Sequence, residues 1–228
     1  MLLSAFGLES LNKGIEGFAL SGAAGAGAQP NSTQTQNPAV NSRSNSNAPV
    51  SPLDPALVDK LKTLQEELSK ASTTKKKSSI ALALSDEYIR LKRYDLAGKY
   101  SEIALQAQSK PSLDLSIRTA NLYDDAEQDS LAAIFYQKSL DIDPLKTDVR
   151  VDFAICLLSI GDFDGGKREM ERAVRDNPSH QKANLNVGII YLQTNEITKA
   201  RGFWEKALKI NPSNDAGSRA KELLDTYR

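Results

Sequence analysis

The stretch "NVGIIYLQTNEITKARGFWEKALKINP", residues 186–212, carries the pattern that predicts the fold. It holds no histidine, no cysteine and no glycine-rich loop, so it does not look catalytic. Its small residues, aromatic residues and final proline are nevertheless regularly spaced. The same spacing returns in two earlier blocks, "FYQKSLDIDP" and "REMERAVRDNP", each of which ends on a proline.

Residues of matching kind recur every 34 positions in the second half of the chain. The matching sets are Ala120, Ala154 and Gly188; Tyr123, Leu157 and Tyr191; Ala132, Gly166 and Ala200; Tyr136, Met170 and Trp204; and Pro144, Pro178 and Pro212. An earlier unit that ends near Pro111 follows the pattern with a small slip in register. A fixed period of this length predicts a solenoid, in which each unit is a pair of antiparallel helices.

The last unit resembles the tetratricopeptide repeat (TPR) family. Its L-G, Y, A, F/Y, A-L and P slots are filled by Val187-Gly188, Tyr191, Ala200, Trp204, Ala207-Leu208 and Pro212. The resemblance covers residues 78–212 as four repeats: 78–111, 113–146, 147–180 and 181–214. It departs from the family at Gly166, which replaces an alanine, and at Ser101, which takes a bulky slot. It implies an all-α, right-handed superhelical solenoid of antiparallel helix pairs.

Two segments flank the repeats. In residues 53–72, Leu57, Leu61, Leu64 and Leu68 form a narrow apolar seam on one helix. We interpret this helix as packing on the repeats, with a coiled-coil dimer as the alternative. The following "TTKKKSS" is interpreted as a solvated connector. Residues 213–228 predict a capping helix with a polar back, such as a solenoid end requires.

The N-terminal region is of a different kind. Residues 21–52 are rich in Ser, Asn, Gln and Pro and predict a disordered linker. Residues 1–20 contain an apolar stripe, which indicates an amphipathic helix or a targeting segment. The Ala26-Gly27-Ala28 pattern favours a secretory signal in residues 1–28, whereas Glu9 and Glu16 argue against one. We therefore expect a cytoplasmic protein, with a periplasmic or secreted one as the alternative.

Composition excludes several functions. Lys+Arg and Asp+Glu both number 29, so there is no basic excess for nucleic-acid binding. We expect no catalytic site, cofactor or metal, because the chain has one histidine, His180, and one cysteine, Cys156. We interpret His180 as a surface residue, Cys156 as a buried one, and "YDDAEQD" at 123–129 as a solvated acidic turn. No apolar run is long enough to span a membrane.

The resemblance implies that the first helix of each pair lines a concave surface. We predict a peptide-binding groove that includes Asn121, Val151, Ile155, Lys182, Leu185, Asn186 and Ile189. Its apolar strip suits an amphipathic helix or an extended apolar peptide. The alternative is that part of the strip is core between repeats. Asn121, helped by Asn186, is expected to hold the main chain of the bound peptide.

The sequence thus predicts a non-catalytic scaffold or adaptor that binds a protein or peptide partner. The order of the repeats is similar to bacterial TPR proteins of the assembly-factor kind. The alternative is a structural protein that forms a weak homo-oligomer through the 53–72 helix or through the ends of the solenoid.

Overall fold

The structure, a computed structural model, describes residues 54–228. The segments 1–20 and 21–52 lie outside the described residues. Within the described part every regular element is an α-helix. The ten helices are α1 (Pro55–Ser69), α2 (Thr74–Arg90), α3 (Tyr94–Gln106), α4 (Leu113–Asp125), α5 (Asp129–Ile142), α6 (Thr147–Ser159), α7 (Phe163–Asp176), α8 (Gln181–Gln193), α9 (Ile197–Ile210) and α10 (Asp215–Thr226).

Eight of these helices form four pairs, α2/α3, α4/α5, α6/α7 and α8/α9. Each helix contacts its neighbours along the chain, and the contacts within a pair are more extensive than those between pairs. The single helix α1 contacts α2 at one end, and α10 contacts both α9 and α8 at the other. This is the all-α stack of helix pairs that the 34-residue period predicts.

The same turn closes the first helix of every pair. Lys92, Glu127, Gly161 and Asn195 occupy equivalent places in it and have positive φ angles of 55°, 56°, 87° and 61°. The amide after each of them reaches back into the helix, as Glu196 N does to the Tyr191 carbonyl at 2.8 Å. This left-handed residue satisfies the last carbonyls and reverses the chain into the second helix.

Prolines end the second helices. Pro144, Pro178 and Pro212 each follow an extended residue: Asp143, Asn177 or Asn211, with φ of −135°, −138° and −154°. A residue before proline is pushed out of the helical region, so the helix stops and the chain turns into the next pair.

Small residues let the helices of a pair approach closely. A Cβ atom added to Gly188 would lie 2.3 Å from Trp204 Nε1 and 2.9 Å from the Ala200 carbonyl oxygen. One added to Gly166 would lie 2.5 Å from Leu158 Cγ. Gly166, which departs from the family's alanine, is therefore a site of close packing.

At the second departure from the family, Ser101, a polar pair of side chains occupies the place of a bulky residue. The later repeats bury Tyr136, Met170 and Trp204 at this position. Ser101 Oγ instead lies 2.8 Å from Thr119 Oγ1, and the Thr119 hydroxyl also donates to the Leu115 carbonyl at 2.8 Å. Both residues are fully buried, so a hydrogen bond takes the place of an apolar contact at the junction of α3 and α4.

The leucine seam of α1 packs within the chain. Leu61 is buried in a cluster with Ile80, Leu84 and Tyr88, and the other seam leucines are partly buried against the repeats. Lys60 Nζ also donates to Glu87 Oε1 at 2.6 Å. The seam is thus covered by α2 and its neighbours.

The structure also tests the expectations for the segment just before the repeats and for the helix that follows them. The interpretation of "TTKKKSS" as a connector is wrong, because α2 begins at Thr74 and the Thr73 hydroxyl caps its first turn by accepting from Lys76 N at 3.2 Å. Residues 73–77 are solvated, as expected. At the other end, Asn214 caps α10 by accepting from Gly217 N at 2.9 Å. None of the helices in residues 54–228 is long and apolar enough to cross a membrane.

Candidate binding surface

The apolar members of the predicted groove lie on the first helices of the last two repeats. Val151 and Ile155 share one face of α6, and Leu185 and Ile189 share one face of α8. The structure brings all four into one hydrophobic cluster with Trp204. Their exposed fractions are 1% and 9% on α6, and 1% and 5% on α8. Contact with a partner stays a prediction for them, and all four would first have to be uncovered because all four are buried.

The polar members are placed differently. Lys182 is exposed at the start of α8, and Asn121 is partly buried on α4. Asn121 Oδ1 accepts a hydrogen bond from Tyr136 OH at 2.8 Å, and this bond orients the amide. The amide nitrogen of Asn121 has no hydrogen-bond partner within residues 54–228. It can therefore donate to a bound peptide.

Asn186 has an unused acceptor. Its side chain is 3% exposed, and its carbonyl oxygen Oδ1 is buried without a hydrogen-bond partner in the described chain. A buried polar group left unpaired costs roughly 1–3 kcal/mol. The oxygen and nitrogen of such an amide are assigned from their surroundings, so either atom can be the one that faces a ligand.

A cluster of acidic side chains lies where α4 meets α6. Cys156 Sγ donates to Asp124 Oδ1 at 3.7 Å, and Tyr136 OH donates to Asp124 Oδ2 at 3.5 Å. Asp152 lies one turn before Cys156 on α6 and interacts electrostatically with Asp124. No hydrogen bond or ion pair reaches the Asp152 carboxylate from any described residue.

Burial makes these carboxyl groups difficult to ionise. It raises the pKa of Asp124 to about 6, with added repulsion from Asp129 and Asp125. It raises the pKa of Asp152 to about 7, although Lys182 acts in the opposite direction. Burial also raises the pKa values of Asp125 and Asp129. The expectation that residues 123–129 form a solvated acidic turn therefore holds for Glu127, which is exposed, and is wrong for Asp124, Asp125 and Asp129.

The cluster includes a group with metal-ligand spacing. Ligand atoms of Asp124, Asp129 and Cys156 all lie within 4.8 Å of one another. A metal would need the thiolate form of cysteine. Burial and the neighbouring carboxylates raise the pKa of the Cys156 thiol well above its ordinary value, so the thiol keeps its proton. Without a metal the donor set is thus two carboxyl groups and a protonated thiol, and a metal would have to displace the thiol proton to gain Cys156 as a ligand.

Two other acidic residues on the first helices, Asp86 and Asp148, have side-chain partners. Asp86 of α2 pairs with Arg118 of α4 at 2.5 Å. Asp148 of α6 pairs with His180, whose Nε2 lies 2.7 Å from Asp148 Oδ1. The same histidine caps α8, because its Nδ1 accepts from Ala183 N at 3.2 Å. His180 therefore joins the third and fourth repeats, a role that its position in a turn did not reveal.

Comparison with known proteins matches part of this chain to a family and its fold to solved structures. Residues 151–215 match the family model described as tetratricopeptide repeat. The chain is also similar to solved structures of that fold. The protein YrrB, described as a TPR protein with an unusual peptide-binding site, is 22% identical with a TM-score of 0.56, and the match covers 73% of this chain and 88% of that one.

The protein MamA has a similar structure. Its 41-end form from Desulfovibrio magneticus RS-1 is 15% identical with a TM-score of 0.55, and the match covers 71% of this chain and 89% of that one. A double mutant of MamA from RS-1 is 14% identical with a TM-score of 0.57, covering 70% and 87%. Likenesses at this level of identity concern the fold. Residues 151–215 therefore match the tetratricopeptide repeat model, and residues 54–228 have the fold of such proteins, the predicted right-handed superhelical solenoid of antiparallel helix pairs.

Proposed function

We propose that this chain is a non-catalytic interaction protein that binds a peptide or an amphipathic helix on the first-helix surface of repeats two to four. Stacked helix pairs curve, and the curve presents an extended concave surface suited to another polypeptide. The role would be that of an adaptor or assembly factor. The peptide-binding site named for YrrB supports this use of the fold.

The observation that carries the proposal is the set of unused amide groups on this surface. Asn121 offers a donor, and Asn186 offers a buried acceptor that has no hydrogen-bond partner in residues 54–228. The main chain of a peptide supplies both an N–H and a C=O at every residue except proline. A bound peptide would satisfy Asn121 directly, and by uncovering Asn186 it would also recover the cost of that unpaired carbonyl.

The proposal is tested by selecting short random displayed peptides on the immobilised full chain and measuring the affinity of the best binder by fluorescence anisotropy. We expect Asn121→Ala and Asn186→Ala each to weaken binding by about 10-fold, because each removes one hydrogen bond to the peptide. Unchanged affinity in both variants would contradict the proposal.

Two further variants complete the test. Gln137→Ala removes an amide from the exposed face of α5 and is expected to leave affinity unchanged. Lys182→Glu reverses an exposed charge at the edge of the surface without entering the core. Ile189→Glu is unsuitable, because Ile189 is buried and a charge there would destabilise the fold itself.

A further inference from the structure

Successive first helices place equivalent residues side by side, so the junctions between repeats can be compared directly. At the first junction, Asp86 of α2 and Arg118 of α4 form an ion pair. One repeat later, the position equivalent to Asp86 holds Asn121 and the position equivalent to Arg118 holds Asp152. The second junction thus lacks the cation that the first one contains, and has a carboxylate in its place.

That carboxylate has no counter-charge in contact with it. Asp152 is partly buried, and neither it nor Asp124 forms an ion pair with any residue in 54–228. Elsewhere on the first helices, buried Glu87 has both Lys60 and Arg90 within ion-pair distance. A pair of partly buried carboxyl groups without such a partner is unfavourable when ionised.

The row of acceptors extends by one more repeat. Asn186 of α8 occupies the position equivalent to Asp152, and its buried carbonyl oxygen also lacks a donor in the described chain. Asp124, Asp152 and Asn186 are therefore acceptors on three successive first helices. The ligand that fits such a row carries positive charge and several N–H donors.

We propose that the Asp124–Asp152 pair receives a lysine or arginine side chain of the bound peptide, with Asn186 accepting a hydrogen bond from the same segment. This inference rests on the proposed peptide-binding function. It assigns the partner a chemistry: a basic residue within an otherwise apolar or neutral segment. A basic side chain fits the pair, because its positive charge and several N–H donors can engage both carboxylates at once.

Binding is linked to the protonation of the pair. The other titratable or charged groups that act on it are Asp125, Asp129, Asp148, Lys182, Cys156 and Tyr136. Burial holds the pKa values of Asp124 and Asp152 at about 6 and about 7, so the free pair is partly protonated near neutral pH. A cationic side chain prefers the ionised pair. Affinity for a basic peptide should therefore rise with pH through this range.

The test uses the full chain and the same displayed peptides. We expect the selected sequences to share one lysine or arginine. The Asp124→Asn/Asp152→Asn double variant should bind the best such peptide about 10-fold or more weakly, and a version of that peptide with methionine at the basic position should lose this difference. Asp114→Asn, an exposed change on α4, is the matched control and should leave affinity unchanged.

The possible outcomes separate the two proposals. Selected peptides without a shared basic residue, or equal binding of the basic peptide by chain and double variant, would overturn this inference and leave the proposed function standing. Failure to select any peptide would count against both. Calorimetric binding of Zn²⁺ or Mn²⁺ that disappears in the double variant would assign the pair to a metal and also overturn the inference. Thermal melts establish that the Asn variants are folded.

Discussion

At the scale of single residues, the contact between Gly188 and Trp204 holds the last helix pair together. Trp204 is fully buried, and its ring lies where a Cβ atom on residue 188 would be. The 34-residue spacing places a small residue at 188 and a bulky one at 204 of the same repeat, and the structure shows that the two meet. The contact sets how closely α8 and α9 approach.

Gly188→Ala is therefore expected to destabilise the protein although alanine favours helices. The added methyl group would collide with the indole and with the Ala200 carbonyl, and overpacking of this kind costs roughly 1–3 kcal/mol. The free energy of unfolding, measured by urea titration, should fall by that amount.

Gly202→Ala supplies the matched comparison. Gly202 lies within α9, and nothing approaches within 4 Å of the place its Cβ would occupy. The same change there should stabilise the protein by up to about 1 kcal/mol through helix propensity alone. If both variants gain stability, α8 and α9 do not approach each other at Gly188 as closely as the structure indicates.

At the scale of helices and turns, a residue in the left-handed conformation recurs in each repeat and reverses the chain between the two helices of a pair. Gly161 and Asn195 suit this conformation, whereas Lys92 and Glu127 occupy it at a steric cost. The equivalent position thus carries different residues in the four repeats.

Glu127→Gly is expected to raise the free energy of unfolding by about 1 kcal/mol, because glycine takes the left-handed conformation without a Cβ clash. Gly161→Ala, at φ 87°, should lower it by a similar amount. Thermal or urea unfolding of the two variants measures both changes in stability. A loss of stability in Glu127→Gly would show that the side chain itself contributes at this turn.

Periodicity predicted the helix pairs well, because apolar and small residues repeat with the packing they serve. It could not predict which residues take the left-handed turn, since Lys92 and Glu127 carry no such signal. It also placed the start of α2 too late, because a run of three lysines looks solvated whether or not it is helical. The Thr73 cap, the earlier signal, lies just before that run.

The site was less accessible to sequence reasoning. Groove residues were chosen by their place in the repeat, but exposure depends on how closely the repeats stack. Val151 and Leu185 are buried for that reason, as the core alternative had allowed. The Asp124–Asp152 pair joins residues 28 positions apart, and burial raises the pKa values of both. Its one sequence signal is that Asp152 stands where the preceding repeat has Arg118.

At the scale of the whole molecule, the free energy of unfolding should depend on pH through Asp124 and Asp152. Their pKa values are raised from 3.8 to about 6 and about 7, so the folded state binds more protons than the unfolded state between those limits. Stability is therefore lost as pH rises from about 4 to about 7. Glu87 and Asp95, whose pKa values are lowered, act in the opposite direction at more acidic pH.

We expect Asp152→Asn to raise the free energy of unfolding by about 1–3 kcal/mol at about pH 8 and by little at about pH 4.5. Urea titrations of the variant and the parent chain across this range measure the difference, in which the effects of Glu87 and Asp95 cancel. A difference that does not change with pH would mean that Asp152 is not held in a raised-pKa environment.

The hydroxyl pair of Ser101 and Thr119 bears on how the stack comes apart. The later repeats share one continuous apolar cluster from α6 to α10, whereas the earlier helices divide theirs among several smaller ones. Unfolding should therefore start at the amino-terminal end, with α1 to α3 separating from α4 at the Ser101–Thr119 contact. The carboxyl-terminal half should still protect its amides from deuterium exchange when this happens.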